Sequence, residues 1–371
     1  MSFKKTAETL EPGAKTLSRK YYTDPIILDQ EYENIFQNNW LPVARAADLD
    51  EQGTFKTFEI AGESIIVLKD DKNNLRAFYN VCRHRGTRVC VQPEGRFSKS
   101  IQCGYHGWTY DLNGNLIGAP HMDAVNDFRK SDYPLHPISV DQWNGFICIN
   151  LADNPAPLHD IFSSLTERFS QWRIDELEVA EHKMYQVNCN WKVIIQNYCE
   201  CYHCPIIHPD LTEIHNYMGG RNDMHSGPYL GGYMNFNDNI ESITHSGKLS
   251  CPPIKGLKEE NLARVYYYSI FPNFLISLHP EYVMAHSVWP ESVNRSRIDC
   301  FWLFSKGIAQ SNKYKIEDAI NFWKMTNLQD WEICERSQLG IQSKKYKPAP
   351  YSGQESLLAA YDKYYLSQLN A

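Results

Sequence analysis

A chain of 371 residues exceeds what one ordinary hydrophobic core covers, so two domains are expected. Its 43% apolar and 22% charged residues are ordinary for a soluble globular protein, and a net charge of −7 weighs against nucleic acid or a membrane as partner. The opening MSFKKTAETLEPGAKTL has no apolar signal core and no membrane-length apolar run follows, so the 11 cysteines read as those of a reducing cytoplasm, most of them small buried hydrophobes.

Residues 1–18 are polar, carry Pro12 and Gly13, and read as a loose arm. Tyr32, Ile35 and Phe36 recur at helical spacing and predict a helix from Asp29 to Trp40, so that 1–40 form an N-terminal arm and helix. Short strand candidates follow at 55–60, 64–69 and 75–79, with Asp70 to Asn74 as a turn, and again at 146–151. They predict a small all-β domain over 41–153, with Asp153 to Pro157 as the linker.

Within that domain, Cys82-Arg83-His84 and Cys103-Gly104-Tyr105-His106 present two thiolates and two imidazoles on two tight loops. Two metal groups suit such a set: a tetrahedral zinc, or a [2Fe–2S] cluster with two cysteines on one iron and two histidines on the other. Zinc fingers usually pair Cys with Cys and His with His, whereas here each loop carries one of each and can reach both irons. On these two motifs the segment resembles the Rieske ferredoxin domain, which implies a [2Fe–2S] cluster held by Cys82, His84, Cys103 and His106. A cluster alone only moves electrons, so the remaining chain has to contain what receives them.

Residues 154–371 begin with a helix candidate at 158–172 and an extended stretch at 175–188, and a further helix runs from Trp191 towards His203. A Gly-, Asn- and His-rich region over 209–262 lacks sustained periodicity and has the length of a lid or binding element. Strands are predicted at 265–271, 274–278, 282–289 and 295–304, then helices at 315–339 and 353–369. The expected class is α+β: the small all-β domain plus a catalytic domain with an antiparallel sheet wrapped by helices.

His203 and His208 lie five residues apart, and Pro205 cannot continue a helix interior, which places the second histidine just past a helix end. Two histidines and one carboxylate make the facial triad of non-haem Fe(II) oxygenases, which leaves positions open for O2 and substrate. Asp330 is the candidate carboxylate, mid-helix among apolar neighbours where Asp is a poor helix former.

Together with the ligand loops, the segment Asn197-Tyr198-Cys199-Glu200-Cys201-Tyr202-His203-Cys204 with His208-Pro209 and the late Asp330 resembles the catalytic α subunit of Rieske non-haem iron oxygenases, over about 20–369. That resemblance implies a mononuclear Fe(II) on His203, His208 and Asp330, O2 as co-substrate, and a homotrimer in which the cluster of one subunit faces the iron of the next. The carboxylate three residues before the first iron histidine is most often Asp in this family and here is Glu200. Its expected role is catalytic, as an electron-transfer bridge between His203 and His106 of another subunit, orienting both rings.

No G-x-G-x-x-G follows a strand, so NAD(P)H is expected to act only indirectly, through a separate flavin/iron-sulfur reductase. The Glu200–Cys204 stretch and the ending Pro350-Tyr351-Ser352 with Glu355-Ser356 look most like the branch acting on quaternary ammonium compounds such as glycine betaine, carnitine or choline. A trimethylammonium group calls for an aromatic cage, with Tyr266, Tyr267, Tyr268, Phe271, Trp289 and Trp302 as candidates. Two alternatives stand beside oxidative N-demethylation or hydroxylation. One is an aromatic ring-hydroxylating dioxygenase or O-demethylase. The other is a non-catalytic electron-transfer or zinc-stabilised protein.

Overall fold

Short strands broken by tight turns build most of the unit from Ile35 to Thr166, which ends within the helix Leu158–Phe169. The structure, a computed structural model, describes residues 3–370, so the first two residues of the expected arm and Ala371 lie outside the described residues. In this unit the strands are β1 (Leu41–Arg45), β2 (Thr54–Ile60), β3 (Glu63–Lys69), β4 (Leu75–Tyr79), β5 (Glu94–Arg96), β6 (Ser100–Gln102), β7 (Thr109–Asp111), β8 (Leu116–Gly118), β9 (Pro137–Trp143) and β10 (Phe146–Asn150). They form an antiparallel sheet in the order β1-β10-β9-β4-β3-β2-β5 and a separate sheet β6-β7-β8. Two-residue turns close two of the hairpins. Ala61-Gly62 joins β2 to β3 and Asn144-Gly145 joins β9 to β10, all four residues at positive φ as such turns demand. One core cluster gathers Phe55, Ile66, Phe78, Trp108 and Tyr110 with Cys82 and Cys103, so two candidate ligands are rooted in the hydrophobic interior.

The second unit combines the chain before Ile35 with the chain after Thr166. The arm is not loose. Lys4–Lys5 pairs as a strand, and Lys15 bridges to Pro350. Its polar backbone satisfies itself on a sheet edge rather than in water. The helix expected from Asp29 begins earlier, as α1 (Pro25–Glu31): the Asp24 side chain accepts from the Ile26 N–H and Pro25 occupies the first turn. It gives way to a π-helical turn, Tyr32–Phe36, and stops before Trp40.

The helices α2 (Leu158–Phe169), α3 (Trp191–Tyr198), α4 (Cys204–Ile207), α5 (Pro209–Ile214), α6 (Ile316–Ile341) and α7 (Ser356–Leu369) follow. The sheet strands are β11 (Leu177–Val187), β12 (Arg221–His225), β13 (Tyr229–Asn235), β14 (Arg264–Ile270), β15 (Phe274–Leu278), β16 (Tyr282–Ser292) and β17 (Arg295–Ser305). The eight-stranded antiparallel sheet runs Lys4–Lys5, β12, β13, β14, β15, β16, β17, β11. The α+β class is thus as expected.

The region 209–262 is not an irregular lid. It contributes α5, β12 and β13, and the remaining loop is pinned from beneath. Ser242 Oγ donates to the buried Glu281 carboxylate at 2.8 Å, and Tyr282 Oη donates to the Ile243 carbonyl at 2.9 Å. Among the described residues, no helix is long and apolar enough to cross a membrane.

Candidate metal centres and their cavity

The two cysteine loops of the first unit repeat one local design. The Cys82 N–H donates to Thr87 O and its carbonyl accepts from Gly86 N–H; the Cys103 N–H donates to Trp108 O and its carbonyl accepts from Gly107 N–H. Gly86 and Gly107 take φ of 75° and 72°, a left-handed turn that a side chain would strain. Each loop therefore buries its cysteine and lifts its histidine to the surface. His84 Nδ1 and His106 Nδ1 come to 3.1 Å of each other, and the His84 ring stacks on Trp108 with centroids 4.9 Å apart.

Burial, with the neighbouring Cys82 thiol, pushes the Cys103 thiol up despite bonds from nearby backbone N–H groups. A thiol whose ionisation burial opposes, with a second thiol and two converging imidazole nitrogens beside it, is a donor set that a cationic iron–sulfur cluster would suit. Tyr110, not singled out by the sequence, places its hydroxyl 3.4 Å from Cys82 Sγ and accepts from the Arg83 N–H at 3.0 Å.

In the second unit, α3 ends at Tyr198, and the chain turns through Glu200 into α4. Glu200 therefore stands beyond the helix rather than in it. Pro205 falls in the first turn of α4, where a missing N–H costs nothing, and His203 and His208 flank that helix as its two caps. The second histidine does sit just past a helix end, but of this short helix. Asp330 projects from the middle of α6. Candidate donor atoms of His203, His208 and Asp330 all lie within 4.8 Å of one another.

Each imidazole is oriented from behind. His203 Nδ1 lies 2.5 Å from Glu200 Oε1, and His208 Nδ1 lies 2.7 Å from Gln329 Oε1. With Nδ1–H donated to these acceptors, both Nε2 atoms are left for Asp330 Oδ1, at 3.4 Å from His203 and 2.8 Å from His208. Burial alone would lower the His203 pKa; hydrogen bonds and charge from Asp330 and Glu200 overcome it and raise it to about 10. Burial likewise opposes ionisation of Asp330, and the two histidines win, holding its carboxyl below the usual range. Two nitrogens and one oxygen held by a dense negative environment are a fit for a divalent metal, which would take the place of the shared proton. Gln329 carries no sequence signal of its own beyond its place beside Asp330.

Cys201 and Cys204 are joined by a disulfide that brackets His203, with Cα atoms 5.0 Å apart on one turn. The other nine cysteines are free and buried, as small hydrophobes would be.

A cavity of about 100 Å³ opens on this triad. Its far wall is one face of the sheet. In register across the strands stand Asn222, Gly232 and Tyr267, and the period of two brings Leu230, Met234 and Ser269 to the same side. Of the aromatic candidates, Tyr267 lines it. Tyr266 and Tyr268 point to the opposite face, against Trp172 and Phe169, and Phe271, Trp289 and Trp302 take no part. The sequence did not indicate Tyr198 and Trp323, which complete the aromatic lining; the Tyr233 ring lies on the opposite face of the sheet, against Tyr266. His215, at the end of α5, is also in the wall; burial, with His208 adding to it, lowers its pKa to about 4 and keeps it neutral.

Two family models match the chain: the ring hydroxylating alpha subunit (catalytic domain) over 174–371 and the Rieske [2Fe-2S] domain over 39–129. The chain is 29% identical to the glycine betaine monooxygenase oxygenase subunit of Pseudomonas aeruginosa, over 91% of this chain and 85% of that one. It is 35% identical to the carnitine monooxygenase oxygenase subunit of Acinetobacter baumannii, over 54% of each. In structure it resembles a quaternary ammonium Rieske monooxygenase, CntA, with a TM-score of 0.81 at 24% identity over the whole of both chains. It also resembles naphthalene 1,2-dioxygenase, with a TM-score of 0.75 at 15% identity over 98% of this chain and 94% of that one.

Proposed function

The chain belongs to the ring-hydroxylating alpha subunits of the Rieske non-haem iron oxygenases, and from that premise we propose that its substrate is a small quaternary ammonium compound such as glycine betaine. The proposed reaction is oxidative N-demethylation: one O2, two electrons and two protons convert a trimethylammonium into a dimethylammonium, formaldehyde and water. The cavity carries this reading. Its rings (Tyr198, Tyr267 and Trp323) offer π faces to a cation, its formal charges are the carboxylates Glu200 and Asp330, and among the described residues no lysine or arginine lines it. At roughly 10–15 Å³ for each water-sized group, its volume suits about ten non-hydrogen atoms or fewer.

Cys82, His84, Cys103 and His106 would hold the cluster, and His203, His208 and Asp330 the mononuclear iron. When bound, the cluster supplies single electrons and the iron supplies the site of O2 reduction. This chain's residues do the rest. Glu200 and Gln329 hold the Nδ1 protons of His203 and His208, which fixes each ring and keeps Nε2 available. The buried aromatic wall excludes water and orients a methyl group towards the triad. Glu200 is the proposed bridge to His106 of a neighbouring subunit in a homotrimer, with electrons arriving from a separate reductase. The similarity to both the betaine- and carnitine-named relatives supports the substrate class without choosing within it.

The test is turnover of the metal-loaded protein with a reductase and NADH on glycine betaine, carnitine, choline and an aromatic panel. Formaldehyde matched to one quaternary ammonium compound supports the reading. A cis-diol from an aromatic substrate overturns it.

A further inference from the structure

The Cys201–Cys204 disulfide supplies neither an iron ligand nor a ring to the cavity, and its placement is selective. All 11 cysteines lie among the described residues, and only these two are joined. Proximity alone does not account for that choice. Cys189 and Cys334 also meet in the interior, as do Cys82 and Cys103, and all four are free thiols. The bonded pair differs in two respects. Its members are three residues apart on one turn, the Cys-x-x-Cys spacing that disulfide oxidoreductases use. Both residues, though buried, line the cavity that opens on His203, His208 and Asp330.

The ring closed by the disulfide contains Tyr202 and His203. Glu200, just ahead of it, accepts from the Tyr202 and His203 N–H groups and faces the His203 imidazole. Cys204 begins α4, and His208 caps the other end of that helix. The crosslink therefore fixes the backbone of one iron ligand and the start of the helix that spaces it from the second. Opening the bond leaves the turn to its hydrogen bonds, and a ligand held less firmly binds metal less tightly.

We propose that Cys201 and Cys204 are an oxidative modification site that passes between dithiol and disulfide and sets how firmly His203 holds the mononuclear iron. The oxidant is hydrogen peroxide, formed when O2 takes up two electrons and two protons without oxygenating a substrate, and small enough for a cavity of about 100 Å³. One thiol becomes a sulfenic acid as the peroxide O–O bond breaks and a water leaves. The neighbouring thiol then forms the S–S bond and displaces a second water, so two thiols supply two electrons and peroxide ends as two waters. A dithiol reductant reverses the change by exchange and leaves as its own disulfide. The crosslink thus tightens the iron site when oxidant accumulates. The assignment rests on the iron ligands and is independent of the substrate.

Full-length protein carrying its cluster is reduced with a phosphine, half is reoxidised with one equivalent of hydrogen peroxide, and both halves are desalted. Each then receives Fe(II) anaerobically and is dialysed against a chelator. Peptide masses after alkylation are expected to place the thiols gained and lost at Cys201 and Cys204. The dithiol form should release second-site iron about tenfold faster than the disulfide form, with equal cluster absorbance in both. Cys201→Ser should release it at the faster rate under either treatment, and if that variant does not fold, the two native forms decide alone. A bond that the phosphine cannot open, oxidation that falls first on another cysteine, or equal iron release from both forms overturns the proposal. A bond that opens and closes in protein that holds no second-site iron in either form overturns the iron site with it.

Discussion

Gln329 Oε1 lies 2.7 Å from His208 Nδ1 and so claims the ring nitrogen that faces away from Asp330. A neutral imidazole has one donor and one acceptor nitrogen, and this contact decides which is which. Gln329→Leu should leave the fold intact and release the tautomer. Iron affinity of the second site is expected to fall about 10- to 100-fold, measured by dialysis against a chelator, with the cluster absorbance unchanged. His208→Ala should abolish that site's iron under the same conditions. Native iron retention in Gln329→Leu would mean that the amide only packs.

Glu200 accepts from both the Tyr202 and His203 backbone N–H groups as well as facing the His203 ring. Glu200→Gln preserves size and removes the charge that an electron-transfer bridge needs. Both metals should remain bound, while reoxidation of the reduced cluster on mixing with substrate and O2 slows by about two orders of magnitude. Near-normal turnover would remove the bridge assignment.

The Tyr110 hydroxyl beside Cys82 Sγ stabilises negative charge on that sulfur, and charge on the cluster is greatest when it is reduced. Tyr110→Phe is expected to lower the midpoint potential. A hydrogen bond worth about 1 kcal/mol corresponds to tens of millivolts for a one-electron couple. Potentiometric titration followed by the visible spectrum reads it directly, and an unchanged potential would detach Tyr110 from the cluster's electronics.

Burial raises the Glu281 pKa to about 7, against the pull of hydrogen bonds from Ser242 and Ser250. Because the folded value exceeds the ordinary 4.5, the protonated acid belongs to the folded state. Its stabilising share is complete below about pH 4.5 and is lost as pH rises through 7. That span is worth roughly 3 kcal/mol. Asp362, also raised to about 7 by burial, adds a second share of the same sign. Buried neutral histidines such as His215 contribute with the opposite sign, so the share of Glu281 is read as a difference: in urea unfolding at pH 5 and pH 8, native protein should decline by about 2–3 kcal/mol relative to Glu281→Gln. An identical decline in both proteins would show that Glu281 does not carry it.

How much of this was legible in the sequence depends on how far apart the partners lie. The four cluster ligands are readable because each Cys and His pair falls within one turn, and turn geometry alone brings them together. Asp330 was a candidate only as a poor helix former among apolar neighbours, since nothing local in α6 ties it to His208. Alternation along Tyr266-Tyr267-Tyr268 told that the rings split between two faces, but not which face meets the cavity; strand register decides that. The strands β12 and β13 were hidden by their own chemistry. Gly231-Gly232 reads as a loop, yet a Cβ on Gly232 would come within 1.8 Å of the Arg221 carbonyl oxygen, so glycine is there to let two strands approach. His215 and Trp323 had no distinguishing spacing, and only the closed cavity reveals them.

The strand Lys4–Lys5 has a practical bearing on how this protein is handled. It hydrogen-bonds alongside Arg221 and Asn222, while Thr6 N–H donates to Gly220 O and Asn222 Nδ2 donates to Thr6 Oγ1. Gly220 and Asn222 line the cavity, so Lys4 to Thr6 are bonded directly to part of its wall. Cleaving back past Thr6 bares the edge of β12. Purification handles belong after α7, and a preparation clipped near its start should be checked by mass before any loss of ligand binding is blamed on the metals.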